Sequence, residues 1–156
     1  YFEAEKFKIN DDRIVFLKKT IFEDHLSRHY LADLFLDTFN YNAHTTAVDA
    51  LWTGLPIITK PGNSFSSRVC GSLLKFFDLD ELILKNKDEY YNKALELAEN
   101  PHKLKAIKNK IVKHRDSNKY FDPKNYTLNL EKAYKKIHAM RVNENKFENI
   151  LIKDIE

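Results

Sequence analysis

Short apolar runs alternate along the first hundred residues with segments whose apolar positions recur every three or four residues. The short runs predict strands that are buried between helices, and the wider spacing predicts amphipathic helices. The predicted strands are Arg13–Leu17, Leu34–Asp37, Pro56–Thr59 and Glu81–Leu84. The predicted helices are Glu23–Leu31, Thr45–Thr53, Ser66–Phe77 and Asp88–Glu99. This alternation is typical of an α/β domain with a Rossmann-like parallel sheet and helices on both of its faces.

The remainder of the chain, residues 100–156, is predicted as a helical tail that follows an α/β core over residues 1–99. Pro101 can serve as the first residue of a helix that ends near Arg115, and Asp122 with Pro123 predicts the start of another. The chain opens inside what resembles the end of an amphipathic helix, and four strands are few for a nucleotide-binding sheet. We therefore expect one partial domain that is truncated at its N-terminus.

Composition fits a globular domain, since 43% of the 156 residues are hydrophobic and 13% are aromatic. The sequence has no apolar run of about 18 residues, which predicts no contact with a membrane. Acidic residues occupy the first positions, where a signal peptide would be apolar. The single cysteine, Cys70, cannot form a disulfide within the chain. These features lead us to expect a cytoplasmic protein.

Positive charge is concentrated in the tail. Residues 100–136 contain eleven Lys or Arg but three Asp or Glu, whereas the whole chain has a net charge of +3. A basic stretch of this kind can bind nucleic acid or an acidic protein surface, and it is also typical of a solvated helix face. No aromatic platform or nucleic-acid motif accompanies the charge, so a nucleic-acid partner is not expected.

The most informative segment, residues 34–56, predicts a buried strand, a polar loop and a helix that opens on His44, Thr45 and Thr46. A helix start carries unpaired backbone N–H groups and the positive end of the helix dipole, so it suits a phosphate. Asp49 lies one turn further along the same face, where a carboxylate can accept hydrogen bonds from a sugar diol. The pattern indicates a nucleoside diphosphate, although an N-terminal cap would use similar residues.

These residues also carry a family resemblance. The string Asn-Ala-His-Thr-Thr-x-x-Asp-x-Leu-Trp-x-Gly-x-Pro over residues 42–56, with Pro-Gly at 61–62 and Ser-Arg-Val at 67–69, resembles the O-linked N-acetylglucosamine transferase family, and its bacterial members in particular. The similarity runs from near Arg13 to near Met140. A related plant-type protein O-fucosyltransferase has a threonine run where this chain has His44, which favours the N-acetylglucosamine branch.

The resemblance implies the C-terminal, nucleotide-sugar-binding half of a GT-B glycosyltransferase that uses UDP-GlcNAc and no metal or other cofactor. It implies that His44, Thr45 and Thr46 hold the donor diphosphate and that Asp49 binds the ribose. The family's reaction transfers N-acetylglucosamine to a serine or threonine of a protein acceptor. Its upstream lysine and glutamine, a histidine of the other catalytic half and the helical repeats have no counterpart here. We therefore expect no catalytic residue in this chain and no transfer by it alone.

A second cluster follows the first predicted strand. His25 and Arg28 share a helix face, where an imidazole can stack on a base and a guanidinium can donate to its carbonyls. The resemblance places the same two residues, with the preceding loop near Thr20, at the uracil. Ordinary surface residues are the alternative. His25 and His29 have the spacing of zinc ligands, but no third ligand stands at a convincing distance, so no metal is expected.

Arg68 is a candidate for a phosphate contact, and a capping or interdomain role explains it equally well. Two other classes of function stay open, a nucleotide-binding module without catalysis and an interaction domain that uses the basic C-terminal helices. The resemblance also predicts that Leu34–Asp37 lies at an exposed sheet edge, because strands that would lie between it and Arg13–Leu17 are missing. Such an edge is a template for pairing, so either Arg13–Leu17 moves beside it, or another copy of the chain covers it in a homo-oligomer, or a partner fragment fills the gap.

Overall fold

A computed structural model describes residues 2–117, 121–144 and 148–152. It contains seven α-helices and two strands within these residues. In chain order they are α1 (Phe2–Lys6), α2 (Phe22–His29), β1 (Phe35–Leu36), α3 (Thr45–Thr53), β2 (Ile57–Ile58), α4 (Val69–Phe76), α5 (Lys87–Glu99), α6 (Pro101–Ser117) and α7 (Pro123–Ala139). Short 3₁₀ turns lie at Asp11–Arg13, Phe65–Ser67 and Asp80–Leu82, and a π-helical turn at Met140–Glu144 follows α7.

The sheet is small and parallel. β1 and β2 pair with Phe35 opposite Ile57 and Leu36 opposite Ile58. An isolated parallel bridge between Thr59 and Ile83 extends the pairing on the far side of β2. Strand and helix alternate from β1 to α5, which confirms the predicted α/β class.

Two of the four predicted strands are wrong. The segment Arg13–Leu17 ends a 3₁₀ turn and continues without regular structure, and its Val15, Phe16 and Leu17 side chains are exposed. A strand exists only when a neighbour accepts its backbone hydrogen bonds, and no described strand lies beside this segment. The first half of Glu81–Leu84 belongs to a 3₁₀ turn, and Ile83 contributes one isolated bridge to the sheet.

The predicted helix Thr45–Thr53 is confirmed residue for residue. Gly54 ends it in the left-handed conformation with φ of 83°, and the N–H of Leu55 then reaches the carbonyl of Ala50 at 2.8 Å. A Cβ on Gly54 would lie 3.0 Å from the side chain of Val112 on α6. Glycine at this position therefore serves both the helix end and the close approach of α6.

The hydrophobic core lies around β2. Ile57 and Ile58 are fully buried, and helices α3 and α5 both pack against this strand. Other core side chains are Leu51, Leu74, Phe77, Leu79, Leu82 and Leu97. The first helix of the basic segment joins the same core, because Leu104, Ile107 and Ile111 of α6 are buried in it.

The basic residues of α6 are largely paired with the rest of the chain. Lys103 pairs with Glu96 on α5, Lys108 lies 3.0 Å from Asp33, and Lys110 lies 3.3 Å from Glu81. These partners lie outside the basic segment, in the part of the chain that carries the net negative charge. The charge asymmetry therefore stabilises the docking of α6, although each exposed pair contributes only about 0–1 kcal/mol.

The outer edge of β1 has no strand partner among the described residues, and Leu36 is 57% exposed there. Arg13–Leu17 does not cover it, which excludes the first of the three predicted arrangements within this single chain. Pairing with another copy or with a partner fragment stays a prediction, and light scattering of the chain tests the former. Across the part of the chain described, none of the helices is both long and apolar enough to span a bilayer.

Candidate functional site

The start of α3 lies beside an open cavity of ≈ 460 Å³. His44 precedes the first helical residue and makes no side-chain capping bond. Its imidazole Nε2 lies 3.2 Å from the carbonyl oxygen of Ser66, and its ring stacks on Tyr41 with the centroids 4.7 Å apart. Thr45 and Thr46 are exposed and line the cavity. The helix start therefore presents its first N–H groups and two hydroxyls to the cavity, as the sequence predicts.

A buried carboxylate positions this helix start. Asp37, only 4% exposed, accepts hydrogen bonds from the backbone N–H of Thr38 at 2.9 Å and of Ala43 at 2.7 Å through Oδ1. Its Oδ2 accepts from the hydroxyl of Thr59, which follows β2. One carboxylate thus closes the loop between β1 and α3 and ties it to the next strand, so His44 and Thr45 are held in a fixed place.

Two further residues complete the support of this loop. Asn42 is buried, donates from Nδ2 to the carbonyl of Thr38 at 2.7 Å, and donates its backbone N–H to Ser66 at 2.8 Å. Tyr90 on α5 donates its hydroxyl to the backbone carbonyl of Asp37 at 2.9 Å. Sequence reasoning missed this support, and the one signal for it was an acidic residue at the end of an apolar strand.

Burial dominates the acid–base behaviour of the neighbouring groups. It raises the pKa of the Cys70 thiol well above its ordinary value of 9.0, and the negative charge of Asp37 and a hydrogen bond to it act in the same direction, against a smaller opposite effect of Thr59. Burial, together with the charge of Asp37, raises the pKa of Tyr90 to about 12. Both groups are therefore neutral at physiological pH, and Cys70 is an unreactive thiol.

We expect the free energy of unfolding to fall above about pH 9. The unfolded chain releases the Cys70 proton near its ordinary pKa of 9.0, whereas the folded chain retains it. Stability is therefore fully present below that pH and declines above it, by about 1.4 kcal/mol per pH unit while this one proton differs between the two states. Tyr90 adds to the decline from pH 10.0 upwards.

Urea unfolding curves recorded between about pH 8 and 10 test this expectation. Cys70→Ala removes the thiol, so its unfolding free energy should depend less on pH across this interval than that of the parent. Equal pH dependence of parent and variant would show that Cys70 does not cause the decline.

Helix α2 brings the predicted base-binding residues against α3. His25 Nε2 lies 3.5 Å from Asp49 Oδ2, and Asp49 is 15% exposed. The guanidinium of Arg28 donates to the carbonyl of Lys18 at 2.7 Å, and the hydroxyl of Thr20 donates to Asp24 at 3.0 Å. These hydrogen bonds to residues of α2 hold the loop that precedes this helix. His25, predicted to bind the base, and Asp49, predicted to bind the ribose, lie close together.

A second cavity, of ≈ 780 Å³, lies over this cluster. Its polar lining includes Thr20, His25 and Arg28, and its apolar lining includes Phe35 and Leu36 of β1. The same two β1 residues also line the cavity at the start of α3. The two cavities therefore adjoin along β1.

Comparison with known proteins gives the family. The sequence model described as "Glycosyl transferase family 41" matches residues 2–130. The chain belongs to glycosyl transferase family 41. The matched residues include residues 44–46 at the start of α3, the loop between β1 and α3 that Asp37 closes, and the residues Thr20, His25 and Arg28 at α2.

Named relatives agree with this family assignment. The family 41 chain is 37% identical over 130 residues to a probable UDP-N-acetylglucosamine–peptide N-acetylglucosaminyltransferase, SEC, of Arabidopsis thaliana, which covers 83% of this chain and 13% of that protein. It is 38% identical over 123 residues to the UDP-N-acetylglucosamine–peptide N-acetylglucosaminyltransferase of Caenorhabditis elegans, which covers 79% of this chain and 11% of that protein. The chain thus spans about an eighth of these relatives.

A solved structure shows the same fold. A mutant of the Thermobaculum terrenum O-GlcNAc transferase superposes with a TM-score of 0.79 at 29% identity, over 85% of this chain and 26% of that one. The predicted resemblance to the O-GlcNAc transferase family, including a bacterial member, is thereby confirmed. The fold is that of a part of a GT-B glycosyltransferase.

Arg68 of this family 41 chain is exposed at the start of α4 and donates to the carbonyl of Asn63 at 2.6 Å. It therefore braces residues 63–68, and its proposed phosphate contact stays a prediction. Among the residues that the structure describes, no group of three His, Cys, Asp or Glu side chains is placed to hold a metal ion. His25 and His29 are in edge-to-face contact, with their ring centroids 4.9 Å apart.

Proposed function

We propose that this chain forms the UDP-binding part of a glycosyltransferase that moves N-acetylglucosamine from UDP-GlcNAc to serine or threonine residues of proteins. In this proposal the start of α3 binds the diphosphate through His44, Thr45 and Thr46. Asp49 binds the ribose, and residues of the α2 cluster, Thr20, His25 and Arg28, bind the uracil.

The contact between His25 and Asp49 is the observation that supports this assignment best. The two residues are 24 positions apart in the sequence and lie on different helices, yet their side chains approach to 3.5 Å. A base at His25, a ribose at Asp49 and a diphosphate at Thr45 would follow one another from α2 to the start of α3. That order is the order of the groups in a nucleoside diphosphate.

The chemistry of the site also fits the departure of a diphosphate. In the proposed transfer, the acceptor oxygen forms a bond to the anomeric carbon, the bond from that carbon to the diphosphate oxygen breaks, and UDP leaves with the bonding electrons. The acceptor hydroxyl releases its proton to solvent water. Negative charge develops on the diphosphate, and fixed donors at the helix start would stabilise it. We propose that this requires no metal ion, so a chelator should leave UDP binding unchanged.

Competition between nucleotides tests the base assignment. We expect the chain to bind UDP more tightly than ADP, and we expect Arg28→Ala to reduce this preference by about tenfold, because it removes a charged donor worth about 1.5–3 kcal/mol. The expected loss includes the effect on residues 18–20, since Arg28 holds the carbonyl of Lys18. Isothermal titration calorimetry with both nucleotides measures the preference.

Lys75→Ala is the matched control, because Lys75 is an exposed cation on α4 that lines neither cavity. It should leave the preference for UDP unchanged. An equal loss of UDP and ADP affinity in Arg28→Ala would instead make Arg28 a general electrostatic contact. Failure of the parent chain to bind UDP would contradict the proposed function as a whole.

A nucleotide-binding module without catalysis is the second candidate, and glycosyl transfer by the protein is the assay that separates it from an enzyme. The interaction-domain alternative has less support. It requires the basic C-terminal helices to be free for a partner, yet Lys103, Lys108 and Lys110 of α6 are engaged by carboxylates of the same chain.

A further inference from the structure

A third cavity, of ≈ 450 Å³, adjoins the cavity at the start of α3 and is lined by two lysines and two aromatic residues among others. The ammonium groups of Lys60 and Lys87 lie 5.5 and 5.7 Å from the centre of the Phe39 ring. No acidic residue lines this cavity. Its lining residues are Thr38, Phe39, Asn40, Tyr41, Lys60 and Lys87.

The two lysines differ from the ion-paired lysines of the fold in their surroundings. Lys93, Lys103 and Lys108 are each paired with a carboxylate of the chain. No described carboxylate is within ion-pairing distance of Lys60 or Lys87. The nearest glutamate in sequence, Glu89, is turned to the backbone N–H of Lys85 and the side chain of Asn86. Two cations that line one cavity without a carboxylate partner favour an anionic ligand.

The position of the cavity is set by the sheet. Residues 38–41 follow β1, Lys60 follows β2, and Lys87 is the first residue of α5. The cavity therefore opens at the carboxyl ends of both strands, where parallel sheets bind ligands. It shares Thr38 and Tyr41 with the cavity proposed for the diphosphate, so the two sites have a common wall.

We propose that this cavity, the Lys60–Lys87 pocket, binds the carboxylate side chain of an Asp or Glu in the acceptor polypeptide. This inference rests on the proposed function. The acceptor hydroxyl must reach the sugar carbon that is bonded to the diphosphate, so the acceptor chain passes beside the start of α3. Neighbouring residues of an extended peptide are about 3.3–3.6 Å apart along the chain, which brings a side chain one or two residues from the acceptor into the adjoining pocket.

The Phe39 ring and the ammonium groups suit the two ends of such a side chain. The ring offers an apolar surface to the methylene groups of Glu, while the ammonium groups attract its carboxylate. The donor diphosphate is a less suitable occupant, because the start of α3 already supplies its donors in a separate cavity. The Lys60–Lys87 pocket therefore selects acceptors by charge without contributing to UDP affinity.

The test uses fluorescence anisotropy with two short labelled peptides at low ionic strength. Both contain one serine, and they differ by a Glu or a Gln two residues from it. The parent chain should bind the Glu peptide about three- to tenfold more tightly than the Gln peptide, as expected for partly exposed ion pairs. Lys60→Met with Lys87→Met keeps an unbranched apolar side chain at both positions but removes both charges, and should abolish the difference.

Lys105→Met with Lys113→Met is the matched control, because both lysines are exposed on α6 and line none of the three cavities. It should preserve the preference for the Glu peptide. Circular dichroism checks that both double variants are folded.

Equal binding of the two peptides by the parent chain, including no binding of either, overturns the pocket assignment. So does loss of the preference in the control variant. The peptide measurements are made with and without UDP, so they report on the pocket even if UDP does not bind, which would contradict the proposed function separately. A loss of UDP affinity in Lys60→Met with Lys87→Met would assign the two lysines to the donor and also overturn the proposal.

Discussion

Replacement of both Thr45 and Thr46 by alanine is expected to weaken UDP binding by about a hundredfold or more. Each substitution removes a hydroxyl donor to a charged group, worth about 1.5–3 kcal/mol, and 1.4 kcal/mol corresponds to a factor of about ten. Both hydroxyls are exposed and face the cavity at the start of α3. Titration calorimetry measures the affinity of the parent and of the double variant.

The double variant should remain as stable as the parent. His44 precedes the helix, so the position that caps it is unchanged, and alanine has a higher helix propensity than threonine. Thr127→Ala on α7 is the matched control, because the Thr127 hydroxyl bonds only to the carbonyl of Pro123 among the contacts described. It should bind UDP as the parent does. Unchanged UDP binding in the double variant would refute the assignment of the diphosphate to the start of α3.

Asp37→Ala is expected to lower the free energy of unfolding by about 3 kcal/mol or more. The substitution leaves four donors without their acceptor, namely the backbone N–H groups of Thr38 and Ala43, the hydroxyl of Thr59 and the thiol of Cys70. Thr59 is fully buried, and each stranded buried donor costs about 1–3 kcal/mol. Such a loss is a large part of the stability of a typical domain, which is about 5–15 kcal/mol. Urea unfolding followed by circular dichroism measures it.

Asp33→Ala is the matched control, because Asp33 precedes β1 as Asp37 follows it. Its side chain is 84% exposed and pairs with Lys108, so its loss should cost about 1 kcal/mol or less. Because Asp37 also closes residues 38–43 against the start of α3, its replacement should weaken UDP binding even where the chain is folded. Equal stabilities of the two variants would show that Asp37 does not support the site.

The two incorrect strand predictions show what the apolar pattern of a single segment cannot determine. Arg13–Leu17 and Glu81–Leu84 are apolar runs of strand length, and their amino acids alone do not distinguish them from β1 and β2. The latter two become strands because each pairs with the other over two residues, whereas Glu81–Leu84 meets Thr59 in one isolated bridge and Arg13–Leu17 has no described strand beside it. Strand formation depends on a partner that is distant in sequence, and the pattern of one segment cannot supply that partner.

The candidate site also has residues that were predictable from the sequence and residues that were not. The helix start at Thr45 was predictable, because its signals are local: a polar loop, a helical repeat and a glycine that ends the helix. The supporting residues Asp37, Asn42 and Tyr90 were not, because their role depends on hydrogen bonds that span as many as 53 positions. The pocket of Lys60 and Lys87 was also not predictable, since these lysines are ordinary surface residues until both approach Phe39.

The sequence by itself determined the α/β class, the bounds of α3, the family resemblance and the residues proposed to bind UDP. Each of these depends on local periodicity or on a motif within a few dozen residues. The tertiary structure alone decided which apolar runs pair, that His25 contacts Asp49, and that Asp37 is the buried acceptor behind the loop. These features depend on contacts between distant segments, which exist only after the chain has closed around its core.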